Sequence, residues 1–263
     1  MRLLLCLLPV LPLFSEDWPP AVHRAAAMEF ARLGQWRKAE TRQRLAVQHC
    51  QPCSVDELAL LRSELAGYLV LGGFPEAAVP VWRQTLAELP PDSPSRSTAY
   101  LGLGVALDAA GRRAEAQKAW QHACRAPLAD PQENAACRFN VAVAQLESQP
   151  VWSELEEVLP ILLSAPNPLS RVTALLQTAR AALIADRPDR ARQLLDQADS
   201  LIAGELDPGH PFRGTVYALR ASAAKRAGDK KEARYWQKRA SKITVQDGWD
   251  RTTVSVEELR KQP

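Results

Sequence analysis

Small residues return at a nearly constant interval along most of this chain, and that recurrence limits its possible folds more than any other feature. An alanine follows a charged residue shortly after a turn signal at Ala39, Ala77, Ala116, Ala191 and Ala233, and Glu154 holds the equivalent place in a degenerate fourth copy. The successive intervals are about 38, 39, 38, 37 and 42 residues, within the range of helical-hairpin repeats. Three further columns keep the same phase. Five residues before each marker stand Gly34, Gly72, Gly111, Gln149, Asp186 and Gly228, where a glycine supplies the left-handed backbone that ends one helix and opens a tight turn. Twelve residues before it stand Ala27, Leu65, Gly104, Ala142, Ala179 and Ala221, small in five of six copies. Seven residues after it come Ala46, Ala123, Ala198 and Ala240. Compact side chains at these places let paired helices approach closely.

Composition agrees with an all-α chain. Glycine is scarce at 12 residues, alanine, the best helix former, is abundant, and strand-like runs of Val, Ile and Thr are missing. The phasing places helix pairs near residues 20–33 and 35–49, 55–71 and 74–89, 94–110 and 112–125, 131–147 and 151–164, 168–185 and 188–203, and 211–227 and 229–243. Proline-bearing linkers such as Gln51-Pro52, Pro90-Pro91, Asp130-Pro131, Pro166-Asn167-Pro168 and Asp207-Pro208 separate them.

The third copy resembles the tetratricopeptide repeat family: Tyr100, Leu103, Gly104, Leu107, Gly111, Ala116, Trp120 and Ala123 occupy the family's large and small positions in order. The sixth copy, with Asp-Pro-Gly-His-Pro from Asp207 to Pro211 ahead of Tyr217, Gly228, Ala233 and Ala240, is similar to the longer kinesin-light-chain variety. Copies two and four depart from the pattern, with Gln84 and Glu154 at normally small positions, and every interval exceeds the family's usual ~34. The resemblance covers residues 19–243. It implies a right-handed superhelical solenoid of about six antiparallel helix pairs, a concave face lined by the first helix of each pair, and a non-enzymatic scaffold for a protein or peptide partner. The matching contact positions are Arg24 and Met28, Arg62 and Leu69, Leu101 and Val105, Phe139 and Val143, Leu176 and Arg180, then Ser222 and Lys225, with Arg138 and Asn140 beside Phe139. They describe a groove with an apolar centre and basic ends, suited to an apolar segment with acidic flanks. The Lys-and-Asn pattern that clamps a peptide carboxylate in chaperone-binding members is absent.

The ends of the chain read differently. Met1-Arg2 precedes an uncharged, leucine-rich stretch from Leu3 to Phe14, the length of a signal-peptide core and well short of the ~20 residues that span a bilayer. Residues 1–15 are expected to be a signal peptide and the mature protein to be periplasmic or secreted, with an uncleaved anchor as the other reading. Leu5 before Cys6 is a poor match to a lipoprotein attachment site. Residues 16–243 are expected to form the array and 244–263 a tail, with a short helix from Ser255 and Trp249 against the last pair.

Removal of the signal leaves Cys50, Cys53, Cys124 and Cys137, an even number that favours disulfides in an exported chain. The expected pairs are Cys50 with Cys53 and Cys124 with Cys137. The alternative is a thiol–disulfide or metal-handling protein using Cys50 and Cys53. Against it, the pair follows a helix C-terminus, where the dipole disfavours thiolate, and His49, Cys50 and Cys53 lack a fourth ligand nearby in sequence. No other motif points to catalysis, a cofactor or a metal. The four histidines have no metal-pair spacing, no phosphate-cradling loop exists, and Glu154, Glu156 and Glu157 read as a solvated acidic face. A net charge of +3 does not indicate nucleic acid. The last copy is locally basic, from Arg220 to Lys242. It reads as a soluble cap, with contact to an anionic surface as the other reading.

Overall fold

A computed structural model describes residues 18–124, 131–145 and 152–243. The expected signal peptide, the tail, Cys6 and Gln149 lie outside the described residues. Every described element is a helix. The first hairpin joins α1 (Pro20–Arg32) to α2 (Trp36–Gln48), followed by α3 (Val55–Leu71) with α4 (Pro75–Glu88) and α5 (Ser95–Ala109) with α6 (Arg113–Ala123). The remaining pairs are α7 (Pro131–Gln145) with α8 (Trp152–Leu163), α9 (Pro168–Ile184) with α10 (Pro188–Glu205), and α11 (Phe212–Arg226) with α12 (Lys230–Ala240). The starts follow local chemistry. Pro20, Pro75, Pro168 and Pro188 open helices at a position that needs no N–H. Ser54 and Glu57 form a reciprocal capping box on α3, and Asp229 caps α12 by accepting the Glu232 N–H.

Every helix packs on the next, and first helices also touch, α3 with α5, α5 with α7 and α9 with α11. The small columns lie at these crossings, with corrections in the second and fourth copies. In the second copy the left-handed residue is Gly73 (φ +83°), not Gly72, and the buried marker is Ala78, not the exposed Ala77. The same one-residue slip replaces Leu65 by Ala66 and Gln84 by Thr85, both fully or almost fully buried. The Thr85 hydroxyl donates to the Val81 carbonyl at 2.9 Å, which lets a polar residue hold a small core position. In the fourth copy the buried residue is Leu155, one beyond Glu154. Asp186 takes the left-handed turn in the fifth (φ 56°). Packing is tight at Gly104: a Cβ there would stand 2.1 Å from the Trp120 ring nitrogen, whose N–H donates to the Leu101 carbonyl at 3.3 Å.

The repeat interval recurs in the polar surface. Arg24 pairs with Glu64, Arg112 with Glu76, Arg83 with Glu115, Arg190 with Glu156 and Arg192 with Glu232, each joining one hairpin to the next. Exposed pairs of this kind contribute little energy individually, but they fix how successive hairpins sit.

A feature the repeat pattern does not announce is that the array closes on itself. The turn after α1 meets the Asp207–Pro211 loop that leads into α11. The Asp207 N–H donates to the Arg32 carbonyl at 3.2 Å, and His210 Nε2 lies 3.3 Å from the Ala31 carbonyl. His210 Nδ1 accepts the Phe212 N–H at 3.2 Å, so the neutral ring donates through Nε2. Trp36, buried at the start of α2, meets the His210 ring edge-on at 5.5 Å and Phe212 at 6.2 Å. Gly34 (φ +70°) passes directly under Pro211, where a Cβ would lie 2.2 Å from the proline Cδ. Leu71 at the end of α3 packs on the α9–α11 core, and Leu169 at the start of α9 packs on the core around Trp36. We call this contact between the first and sixth hairpins the clasp.

Candidate interaction surface

The residues expected to line a groove divide into three groups. Leu101, Phe139 and Leu176 are core residues, 7%, 5% and 4% exposed, as is Leu69. Phe139 is packed among Ala135, Ala142, Leu155 and Val158, with the partly buried Val143 against the same cluster. Leu176 belongs to the α9–α11 core. The expectation that these side chains face a partner is therefore corrected: each points between helices of its own array. Asn140 and Arg180 are half-buried.

The arginines of the second group are engaged within the array. Arg62 pairs with Glu88 across its own hairpin. Arg138 pairs with Glu154 and, at 2.9 Å, with Glu157. Hydrogen bonding to Arg138 holds the Glu154 carboxyl below the usual carboxylate range, with the nearby positive charge adding to it. In the acidic cluster read as a solvated face, Glu154 and Glu157 thus pair with Arg138 across their own hairpin and Glu156 pairs with Arg190 of the next. Arg24 is likewise bound to Glu64, which also accepts from Gln43 at 3.0 Å.

Val105 alone of the expected apolar set beyond Met28 is exposed, and it leads to the third group. Among the described residues, the exposed large apolar side chains are Val22, Met28, Val55, Leu60, Phe74, Val105 and Tyr235. Five of these seven lie on α1, α3 or α5, the first helices of the first three hairpins. Their spacing follows the repeat. Val22, Leu60 and the exposed Thr98 are 38 residues apart in turn, and Met28, Gly67 and Val105 are 39 and 38 apart. Met28, Gly67 and Val105 hold equivalent places before the markers Ala39, Ala78 and Ala116, as Leu60 and Thr98 do before the last two, with Val22 one residue out of that register, so these side chains lie along two rows across three repeats. In α3 and α5 the two rows are seven residues apart, two helical turns on one face, and in α1 they are six apart. The space beyond Gly67 is open, with nothing within 4 Å of where a Cβ would be. Sequence reading found Met28 and Val105 but missed Val22 and Leu60. The corrected register of α3 sets the buried Leu61 in the place of Val22, so the interval alone does not pick out Leu60; exposure does.

Both disulfides form, Cys50 with Cys53 (Cα separation 5.3 Å) and Cys124 with Cys137 (6.0 Å). Each staples one hairpin to the next, from the end of α2 to the cap of α3 and from the end of α6 into α7. Cys53 thus directly precedes the N-cap Ser54, so the pair lies between two helix ends rather than at a C-terminus alone. Among the described residues no three His, Cys, Asp or Glu side chains converge in a metal-holding group, and no helix is long and apolar enough to cross a membrane.

No protein-family model and no curated protein matches the sequence. Among solved structures, BtubC (BKLC) from P. vanneervenii is 17% identical over 88% of this chain and 91% of that one, with a TM-score of 0.51. The nearly identical TPR-like repeats of a kinesin light chain from Podosopora anserina are 23% identical over 73% of this chain and 97% of theirs, at a TM-score of 0.49. PilW, a type IV pilus biogenesis factor, is 22% identical over 85% of this chain and 92% of its own, also at 0.49. At these identities the likeness concerns the fold alone, and only the first match carries weight beside the hairpin geometry. The fold is the tetratricopeptide-type helical solenoid.

Proposed function

We propose, from this tetratricopeptide-type fold, that the protein is an exported, non-enzymatic scaffold. It binds a protein partner through the exposed faces of the first helices in hairpins one to three. The observation that carries the reading is the pair of rows built from Val22 and Leu60 and from Met28 and Val105. Large apolar side chains left in water on the first helices have no role in packing the array, and burying them against a partner is favourable by ~25 cal/mol per Å² of apolar surface. The buried faces of the same helices are already used by the core, so this face is the one free to meet a partner. Export is supported by the leucine-rich stretch from Leu3 to Phe14 behind Met1-Arg2 and by the two inter-hairpin disulfides.

The test is capture from an envelope extract by the wild-type protein and by a Met28→Glu, Leu60→Glu, Val105→Glu variant. Partners identified by mass spectrometry should be retained by the first and lost by the second, while both keep the same helical circular dichroism. Equal capture by both proteins defeats the proposed surface.

A further inference from the structure

The last hairpin carries a second surface that the apolar rows do not explain and that does not depend on them. A cavity of about 540 Å³ lies between α11, α12 and the clasp loop, walled by Tyr217 and Tyr235 and by four cations, Arg213, Lys238, Arg239 and Lys242, with no carboxylate among the described residues of its lining. Elsewhere in the array Arg24, Arg112, Arg138 and Arg190 are matched by acids. Here one of four is: Arg213 donates to Asp199 at 3.0 Å. Arg239 is held by aromatic rings instead. It donates to the Tyr235 and Tyr217 hydroxyls at 2.8 and 3.2 Å, and its guanidinium carbon stands 4.9 Å from the centre of the Tyr217 ring. Two of its five N–H donors are thereby used, leaving an oriented fork with donors for a carboxylate. Among the described residues neither Lys238 nor Lys242 has an ion-pair partner. The Tyr235 ring is 51% exposed beside them.

We infer that this cavity is a docking site for an acidic segment of a protein partner, with carboxylates on Arg239, Lys238 and Lys242 and an aromatic side chain of the ligand against Tyr235. Charge complementarity selects the occupant: three cations without acids and a half-exposed ring fit alternating carboxylates around one apolar anchor. A purely apolar segment would strip water from those cations and leave them without partners, which is costly. Because the clasp loop contributes Pro208 and Gly209 to the wall, occupancy also bears on the contact between the first and last hairpins.

The probe is a fluorescein-labelled peptide, Glu-Asp-Phe-Glu-Asp, read by fluorescence anisotropy against its neutral counterpart Gln-Asn-Phe-Gln-Asn on the full chain. The acidic peptide should bind at least about tenfold more tightly than the neutral one at physiological salt. A Lys238→Gln, Arg239→Gln double variant should lose about tenfold, Tyr235→Ala should weaken binding further, and Lys231→Gln, outside the cavity lining, should leave it unchanged. All of these positions are on the solvent side of α12, and circular dichroism checks that the helices persist. No preference for the acidic peptide, or an equal loss in Lys231→Gln, overturns the site in favour of diffuse charge. Binding to phosphatidylglycerol vesicles but not to the peptide overturns it in favour of a membrane. Binding that appears only after Asp247→Asn and Asp250→Asn overturns it in favour of the chain's own C-terminal segment.

Discussion

Three of the four described glycines with left-handed turn geometry differ in what lies above them, and that difference isolates the energy of the clasp. Gly34, Gly111 and Gly228 have φ of +70°, +78° and +79°. A Cβ at Gly111 or Gly228 would meet nothing within 4 Å, whereas at Gly34 it would lie 2.2 Å from Pro211 Cδ and 2.9 Å from Cγ. Alanine at any of the three incurs the left-handed backbone penalty of about 1–2 kcal/mol, partly offset by a less flexible unfolded chain. Those contributions cancel on comparison. At Gly34 the proline must also retreat by more than about an ångström to reach ordinary contact near 3.5 Å. Pro211 is a rigid ring adjoining α11, so it moves only with the loop that carries His210 and Asp207. The extra cost is an overpacked contact of about 1–3 kcal/mol, or the loss of the two clasp hydrogen bonds at about 1 kcal/mol each. Gly34→Ala should therefore fall below Gly111→Ala and Gly228→Ala by about 1–3 kcal/mol. For a chain of this size that is a melting point lower by roughly 3–10 °C, read by circular dichroism. Equal melting points for all three variants would refute a packed clasp.

Other outcomes follow from the same contacts. Phe139→Glu, which the groove reading would treat as a binding mutation, should cost at least about 3–5 kcal/mol and reduce the helical signal, because it places a carboxylate in the α7–α8 core. Met28→Glu should change stability by no more than about 0.5 kcal/mol. Replacing both Cys124 and Cys137 by serine should cost about 3 kcal/mol, the chain-entropy value for a sequence separation of 13, measured by urea unfolding under non-reducing conditions. Burial pushes the His210 imidazole down from 6.5 to about 4, against the opposing pull of the Ala31 carbonyl and Asp207. The folded value lies below the unfolded one, so between them the unfolded chain holds the extra proton and stability falls as pH falls. His210 contributes fully above pH about 6.5 and has lost about 2 kcal/mol by pH 5. A His210→Gln variant should show a correspondingly shallower decline over that window.

How far the sequence could be read depends on which interactions are local. Helix pairs, linkers and disulfide partners were legible because small residues, prolines and cysteines act within one hairpin or on the next. The second copy slipped by one residue because Gly72 and Gly73 are adjacent, as are Ala77 and Ala78, and a single column cannot choose between such neighbours. Burial chooses, and it also reveals Thr85 as a small-position residue disguised by its hydroxyl. The contact surface was less legible for the same reason: an α-helix turns 100° per residue, so one step in register exchanges a core leucine for an exposed one. Val105 was identified in the well-matched third copy, while in the second the exposed Leu60 stands one step from the buried Leu61. The clasp was not legible at all. It joins residues 179 apart, Ala31 and His210, and depends on curvature accumulated over every intervening hairpin. His210 read as an ordinary member of the Asp207–Pro211 turn, when its ring is the hinge point between the first and last repeats.

The most direct measurement of that closed architecture is hydrogen exchange at the Asp207 amide, resolved by NMR in the native protein. Its only acceptor among the described residues is the Arg32 carbonyl in the first hairpin. A clasped array predicts slow exchange there, comparable to amides inside α9 and α11, and fast exchange in Gly34→Ala. Exchange at the unprotected loop rate in the wild-type chain would mean that the two ends of the array do not meet.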